Sequence, residues 1–538
     1  MRTCSAALVV SVLVLGGSMR AETPPNIILI YTDDFPWFGT SVQMQAGDVG
    51  SHTPYQRSPN IDRLASEGLT FSRAYAPAGM CGPSRASLQL GQSTARSRYT
   101  ANAGNSNGTE VPGIEQNGGG ELLNEPTSLI HLPSERTTVG EALQAQGYAT
   151  AHFGKWHLWG GGPENHGYDV SDGETNNTPG NTNPDPINDP KLMFSITQDS
   201  IDFMQQQNAA DKPFFIQMSH YATHGGFQYR PETYEYYENL QAINDQVPES
   251  GQNTARETAA MFEDLDTTIG MVLDEVDNLG IADNTYVVFT SDNGMGRNLG
   301  NNYLRGAKWW LWDAALRVPM IVRGPDIPAG TRTDTNVVQY DYMPTFVDWA
   351  GGDLESLPDD IDGVSLRGLM ENPEVDPDYE DRSLYFHYPH TRNSTPQSAV
   401  VKGTEKLIIF YEDTDKLYYF DTSVDPFESF NISEFDDRAQ ELREEFDQYL
   451  ADVREDEFLY PVENPTANSD LIPFDAARDY LPREYFGEVP EMQGDLTGDG
   501  VVDTADLNAL AAVWGADTGT AESFLARHQA GDINYDGA

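Results

Sequence analysis

The sequence predicts an α/β fold: a large, mostly parallel sheet flanked by helices, then a smaller antiparallel sheet with a covering helix. Three observations carry this expectation. Residues 26–350 alternate short apolar runs with helix-patterned stretches, as βα units do. Helix-capping signals and terminal glycines punctuate those stretches. Residues 380–455 instead read as hairpin-like strands followed by one charged helix.

In chain order, Asn26–Tyr31 (NIILIY) reads as a buried strand, and Pro59–Glu67 as a helix closed by Gly68. Thr138 and Glu141 form a capping box for a helix through Gln146, with Gly147 at its end. Tyr148–Phe153 and Phe214–Met218 continue as strands. Thr254 with Glu257 is expected to cap a long helix whose apolar face runs Phe262, Leu265, Ile269, Leu273 and Val276, with Gly280 after it. Tyr286–Thr290 follows as a strand. Residues 101–133, 159–193 and 225–253 are rich in Gly, Asn and Pro and read as long loops of the kind that line binding sites. In the second region, Lys406–Tyr411 and Lys416–Phe420 form a hairpin, and a charged helix lies near Glu434–Leu450.

The expected organisation is a signal peptide over 1–21, a catalytic α/β domain over 22–380, an α+β subdomain over 381–455, a Pro/Glu/Asp-rich linker over 456–492 and a tail over 493–538. Met1-Arg2 and the apolar run Ala6–Gly17 mark the signal, cut between Ser18 and Glu22; the run is too short to span a membrane. The mature chain is therefore expected to be periplasmic or secreted. A net charge of −52 over 538 residues excludes nucleic acid and anionic membrane surfaces as partners, and suits solubility in salt.

The chain has two cysteines, and Cys4 falls within the export signal. Cys81 then has no disulfide partner, which leaves an exposed thiol, a buried apolar filler or a reactive group. Its setting, Cys81-Gly82-Pro83-Ser84-Arg85, favours the third. Pro83 suits a first helical turn, which puts Cys81 at the positive end of a helix dipole with Arg85 one turn on, an activated position. Two strands end in acidic pairs, Asp33-Asp34 and Asp292-Asn293. Ligand sites in open α/β sheets lie at the carboxyl ends of strands, so both pairs are placed to meet there. Three crowded carboxylates and an amide call for a hard cation, and all-oxygen ligation favours Ca²⁺ or Mg²⁺ over zinc.

The tail carries a partial repeat. Asp495, Thr497, Asp499 and Asp506 fall at loop positions 1, 3, 5 and 12, with Gly500 at 6, the spacing that turns oxygens onto Ca²⁺. Gly531–Gly537 repeats its first half. Aspartate at position 12 resembles a type I dockerin repeat, and that resemblance implies a cohesin-like partner.

Together these motifs resemble the type I, formylglycine-dependent sulfatases of the alkaline phosphatase superfamily. Cys81–Arg85 with Gly91 matches the C-x-P-S-R-x-x-x-L-T-G signature. Gly154-Lys155-Trp156-His157-Leu158, Ser291-Asp292-Asn293-Gly294 and Leu304-Arg305-Gly306-Ala307-Lys308 match G-K-W-H-L, S-D-N-G and L-R-G-x-K. The resemblance runs from about Asn26 to Phe430 and includes Asp362–Ser365 and Asp425-Pro426. It implies that a maturation enzyme converts Cys81 to formylglycine, whose hydrate is the nucleophile. It further implies that Asp33, Asp34, Asp292 and Asn293 hold the metal beside Cys81, and that Arg85, Lys155 and Lys308 bear on sulfate oxygens. His224 matches the acid that protonates the leaving alcohol, and His157 the residue that helps release sulfate. His152, His166 and His220 read as satisfied polar residues, with His220 a rival to His224 on proximity.

Three departures stand beside these matches. Gln89-Leu90 replaces Leu-Thr, Asp313-Ala314-Ala315 replaces Glu-Gly-Gly, and Thr223 stands where proline is common. The functional expectation is an exported Ca²⁺-dependent sulfatase (arylsulfatase-like) acting on sulfated carbohydrate. The rivals are a phosphodiester or phosphonate monoester hydrolase of the same superfamily and a non-catalytic sulfoglycan-binding protein.

Overall fold

In the computed structural model, residues 24–463 are described, apart from 103–109, 112–122, 296–303, 375–378, 380–381, 392–393, 413–416, 424, 429–430, 434–436 and 454–460. The signal peptide, most of the linker, and the tail with Asp495, Thr497, Asp499 and Asp506 lie outside the described residues.

The chain opens with strand β1 (Asn26–Thr32), helix α1 (Pro59–Glu67), strand β2 (Leu69–Tyr75) and helix α2 (Cys81–Leu90). Helix α3 (Val139–Ala145) leads to β3 (Ala149–Gly154), and α4 (Met193–Ala209) to β4 (Phe214–Ser219). Helices α5 (Pro231–Glu238) and α6 (Gln252–Asn278) precede β5 (Thr285–Ser291), and the short α7 (Asp313–Leu316) precedes β6 (Arg317–Arg323). Their sheet order is β2-β6-β5-β1-β4-β3, extended at its edges by short strands. Strands β5, β1, β4 and β3 are mutually parallel, and β6 is antiparallel to both β5 and β2. It follows that β2 runs the same way as β5. The carboxyl ends of β1–β5 and the amino end of β6 therefore share one edge.

Strand β1 shows why the sheet is buried on both sides. Ile27, Leu29 and Tyr31 join the core under α2 and α3, while Ile28 and Ile30 join the core under α1, α4 and α6. The stripe Phe262, Leu265, Ile269, Leu273 and Val276 on α6 is buried as its spacing requires, each side chain contributing about 1.5–3 kcal/mol. The Thr138–Glu141 capping box forms in full. The cap expected at Thr254 does not: α6 begins at Gln252, so Thr254 and Glu257 lie inside it, and Glu257 accepts instead from Tyr229 Oη at 3.2 Å. The stretch 225–253 is likewise not one long loop. Pro231 starts α5, and Tyr237 and Ile243 pack on Ala255, Ala259 and Ala260 of α6.

The second region has four antiparallel strands, β7 (Ser383–Tyr388), β8 (Gln397–Lys402), β9 (Glu405–Phe410) and β10 (Leu417–Asp421), covered by α8 (Arg438–Val453). Ala439, Leu442, Phe446 and Leu450 of α8 pack on Val400, Leu407 and Ile409. Within the expected linker, Val462–Glu463 pairs with Leu123–Asn124. Among the described residues, no helix is long and apolar enough to cross a membrane.

Candidate active site

Among the described residues, the candidate side chains gather at that shared sheet edge. Asp33-Asp34 follows β1, Lys155 and His157 follow β3, His220–His224 follow β4, and Asp292-Asn293 follows β5. Cys81 opens α2 after β2, and Lys308 lies on the approach to β6. Positions more than 200 residues apart in sequence converge because the parallel strands all point the same way.

The turn after β1 is tightly braced. Asp34 adopts a left-handed φ of 60°, and its N–H donates to Asp292 Oδ1 at 3.2 Å. The Thr223 hydroxyl donates toward Asp33 O at 3.2 Å and Asp34 O at 3.1 Å, and its N–H also donates to Asp33 O. Proline here would offer neither donor, so this departure has a structural use.

Asp33, Asp34, Cys81 and Asp292 each present one ligand atom, all within 4.8 Å of one another, and all four residues are buried. The Cys81 thiol donates to Asp33 Oδ1 at 3.2 Å and lies 2.9 Å from Lys308 Nζ. Lys155 Nζ donates to Asp33 Oδ2 at 2.5 Å, and Lys308 Nζ to Asp34 Oδ1 at 2.6 Å. Arg85 Nε donates to Asp292 Oδ2 at 2.8 Å and its second nitrogen to Lys155 O at 2.5 Å. Asn293 Nδ2 donates to Asp34 Oδ1 at 2.7 Å, while its Oδ1 is buried without a partner among the described residues.

Three cations thus face three carboxylates, and the electrostatic cost falls unevenly. Burial acts to raise Asp33, but Lys155 and neighbouring cations hold it well below the carboxylate range. Burial and the charge of Asp33 push Asp292 up to about 6 despite Arg85. A divalent cation would relieve that crowding, and the orphaned Asn293 oxygen is a ready neutral ligand. The oxygen-rich donor set therefore fits a hard metal ion.

The thiol is not activated as its helix position implies. Burial, with Asp292 and Asp33 close by, pushes Cys81 well up against the opposing charges of Lys155 and Lys308. As a thiol, Cys81 is a poor nucleophile.

The histidines separate. His224 is partly buried, its Nδ1 has no partner among the described residues, and its pKa is lowered by burial, with Asp33 and Asp34 opposing and Lys155 and Lys308 adding. His157 takes a left-handed φ of 57° and is lowered by burial and by Lys155. His220 is fully buried and shifted down to about 4 by burial alone, with none of the cluster's charges acting on it. Contrary to the expectation of a satisfied residue, neither of its ring nitrogens has a partner among the described residues. His152 Nε2 pairs with Ser219 Oγ at 3.1 Å, and His166 Nε2 with Gly160 O at 3.3 Å.

Residues 25–352 match the Sulfatase family, and residues 306–456 match N-sulphoglucosamine sulphohydrolase, C-terminal. The chain belongs to the sulfatase family. It is a sulfuric ester hydrolase. It is 28% identical over 471 residues to an ulvan-active sulfatase of Formosa agariphila, covering 81% of this chain and 83% of that protein. It is 31% identical over 435 residues to N-acetylgalactosamine-6-sulfatase of Mus musculus, covering 73% and 74%. The crystal structure of Ps i-CgsB shares its fold, with a TM-score of 0.64 at 21% identity, over 81% of this chain and 94% of that one.

The other departures in this sulfatase are also accommodated. Gln89 donates to Tyr168 Oη at 3.0 Å and Gln217 Oε1 at 2.9 Å. Asp313 pairs with Arg317 at 2.9 Å and with Lys406 of β9 at 2.7 Å, and Lys406 also meets Glu428 at 2.5 Å. Helix α7 carries this network to the turn bearing Asp292 and Asn293, since Gly294 N–H donates to Ala315 O at 2.7 Å and Met295 N–H to Ala314 O at 3.1 Å. Asn102, which no motif marks, accepts from Gly82 N–H at 2.9 Å and so caps the helix carrying Cys81.

Proposed function

We propose that this sulfatase hydrolyses sulfate esters of carbohydrate, with Cys81 converted to formylglycine and Ca²⁺ held by Asp33, Asp34, Asp292 and Asn293. The observation that carries the reading is the convergence of Cys81, three carboxylates and three cations in one buried cluster. The similarity to an ulvan-active sulfatase and to an N-acetylgalactosamine-6-sulfatase supports the carbohydrate part.

The buried thiol argues for conversion, because a protonated sulfur offers little attack on a sulfate ester. Formylglycine hydrate supplies one hydroxyl to attack sulfur and a second to expel sulfate afterwards. A bound divalent cation supplies positive charge that lowers the nearby hydroxyl's pKa and neutralises sulfate oxygens. Arg85, Lys155 and Lys308 are each immobilised by a carboxylate, so they meet developing charge without reorganising. His224 gives a proton to the departing sugar oxygen, and His157 assists sulfate release. The reading extends to export, argued from residues 1–21, and to a calcium-binding, cohesin-directed tail, argued from Asp495, Thr497, Asp499 and Asp506.

The test is mass spectrometry of the Cys81 peptide from protein co-produced with a formylglycine-generating enzyme. Rates on nitrophenyl sulfate, an aryl phosphodiester and sulfated polysaccharides are measured beside it. The expected result is an aldehyde at position 81 and turnover of sulfates well above phosphodiesters. An unmodified thiol with full activity overturns the mechanism, and a preference for phosphodiesters overturns the substrate class.

A further inference from the structure

Lys191 matches no motif, yet it is one of the most constrained cations in the molecule. It is fully buried, has a left-handed φ of 53°, and is followed by Leu192 at 56°. Two successive non-glycine residues in that region persist only where their surroundings over-determine them. The surroundings do so here: Lys191 N–H donates to Gln228 Oε1 at 2.8 Å, and Gln228 Nε2 donates to Gly180 O at 2.9 Å.

Its ammonium donates to Asn181 Oδ1 at 2.8 Å and Gly225 O at 2.9 Å. Among the described residues no carboxylate comes within ion-pair distance of it. A buried ammonium without a counter-ion is costly, and an apolar residue would cost less if the role were only to fill space. Burial lowers its pKa to about 8, with the charge of Asp33 opposing that shift and the charge of Lys155 adding to it.

Gly225 directly follows His224. Gly225 and Gly226 are exposed, Gly226 has a φ of 83°, and the space where a Gly225 side chain would project is open. Two consecutive glycines at the surface give the backbone wide freedom. On the amino-terminal side, His224 is held by its N–H to Tyr221 O at 3.1 Å. On the carboxyl-terminal side, the Lys191 ammonium is the tether that restrains the glycine pair.

We propose that Lys191 is a positioning residue for His224: it pins the Gly225 carbonyl so that the imidazole meets the leaving oxygen of the sulfate ester. The inference rests on the reading of His224 as the proton donor.

The test uses matured full-length enzyme and a series of aryl sulfates whose leaving phenols grow less acidic. Loss of proton donation steepens the dependence of kcat/KM on leaving-group pKa, whereas a structural defect lowers all substrates alike. Lys191→Met is expected to steepen it in the same sense as His224→Ala. It should lose at least about tenfold more on the poorest leaving group than on nitrophenyl sulfate, within the ~10²-fold that a misplacement of about 1 Å costs. Lys191→Arg should restore part of the loss, and the double variant should be no steeper than His224→Ala. If Lys191→Met does not fold, Asn181→Leu, which removes the other acceptor, takes its place. A parallel decline for the Lys191 or Asn181 variant, with His224→Ala steepened, overturns the inference and leaves the His224 reading standing. A parallel decline for His224→Ala overturns both.

Discussion

The Lys308 ammonium lies 2.9 Å from the Cys81 sulfur and 2.6 Å from Asp34 Oδ1, so one cation joins the nucleophile position to the carboxylate cluster. Its backbone is fixed on both sides of the site. Lys308 N–H donates to Met295 O at 2.9 Å, and Trp309 N–H to Gly79 O at 2.7 Å. The loop is thus anchored both to the segment after Asn293 and to the segment before Cys81.

Lys308→Met should lower kcat by about 10²–10³-fold, the usual cost of removing one preorganised donor to developing charge. The proposed conversion of Cys81 should be unchanged, because Lys308 lies outside the Cys81–Gly91 signature segment. Peptide mass spectrometry and steady-state kinetics on one preparation check both parts.

Asp292→Ala should abolish turnover and remove metal-dependent stabilisation. It deletes the carboxylate that bridges Arg85 and the Asp34 turn, at 2.8 and 3.2 Å. The check is thermal unfolding with and without added Ca²⁺. The native protein should gain stability with Ca²⁺ by mass action and the variant should not.

The rate on alkyl sulfates should fall as pH rises through a pKa below the ordinary imidazole value. Burial lowers His224, so its protonated, donating form becomes scarcer toward neutral pH. Lys308 is among the groups that lower it, so Lys308→Met should move that limb to higher pH. A pH–rate profile of kcat/KM for both proteins decides this.

His220 should make the fold sensitive to acid. Its folded pKa of about 4 lies below the ordinary imidazole value of 6.5, so between these pH values the unfolded chain binds more protons. Stability then falls as pH drops through that window, by up to about 3 kcal/mol for one group. His220→Leu should flatten the pH dependence of the unfolding midpoint there while leaving leaving-group selectivity unchanged.

Lys406→Met should destabilise the protein by about 3–5 kcal/mol, because it leaves buried Asp313 and Glu428 without their shared cation. Burial and Asp313 already push Glu428 up to about 7 against the pull of Lys406. Chemical denaturation measures the loss. Lys406→Met paired with Asp313→Asn should recover part of it.

Much of the fold is legible locally. The ends of α1 follow from Pro59 and Gly68, and the capping box of α3 from Thr138 and Glu141, because these signals act within a turn of the residues they organise. The Thr254 cap failed for the converse reason. Packing of Ala255, Ala259 and Ala260 against Tyr237 extends α6 so that it begins at Gln252, most of a turn before the expected start, and tertiary burial outweighs a single side-chain cap.

By itself the sequence determined the alternation of strands and helices, the ligand-rich turns after β1 and β5, and the family motifs around Cys81, Lys155, Asp292 and Lys308. These are written in residues a few positions apart. Tertiary structure decided which charge faces which. It committed Arg85 to Asp292, buried the Cys81 thiol between Asp33 and Lys308, set His224 rather than His220 in the cluster's field, and brought Lys191 to the carbonyl after His224. Such pairings depend on distance and desolvation across strands far apart in the chain, and no spacing in the sequence encodes those.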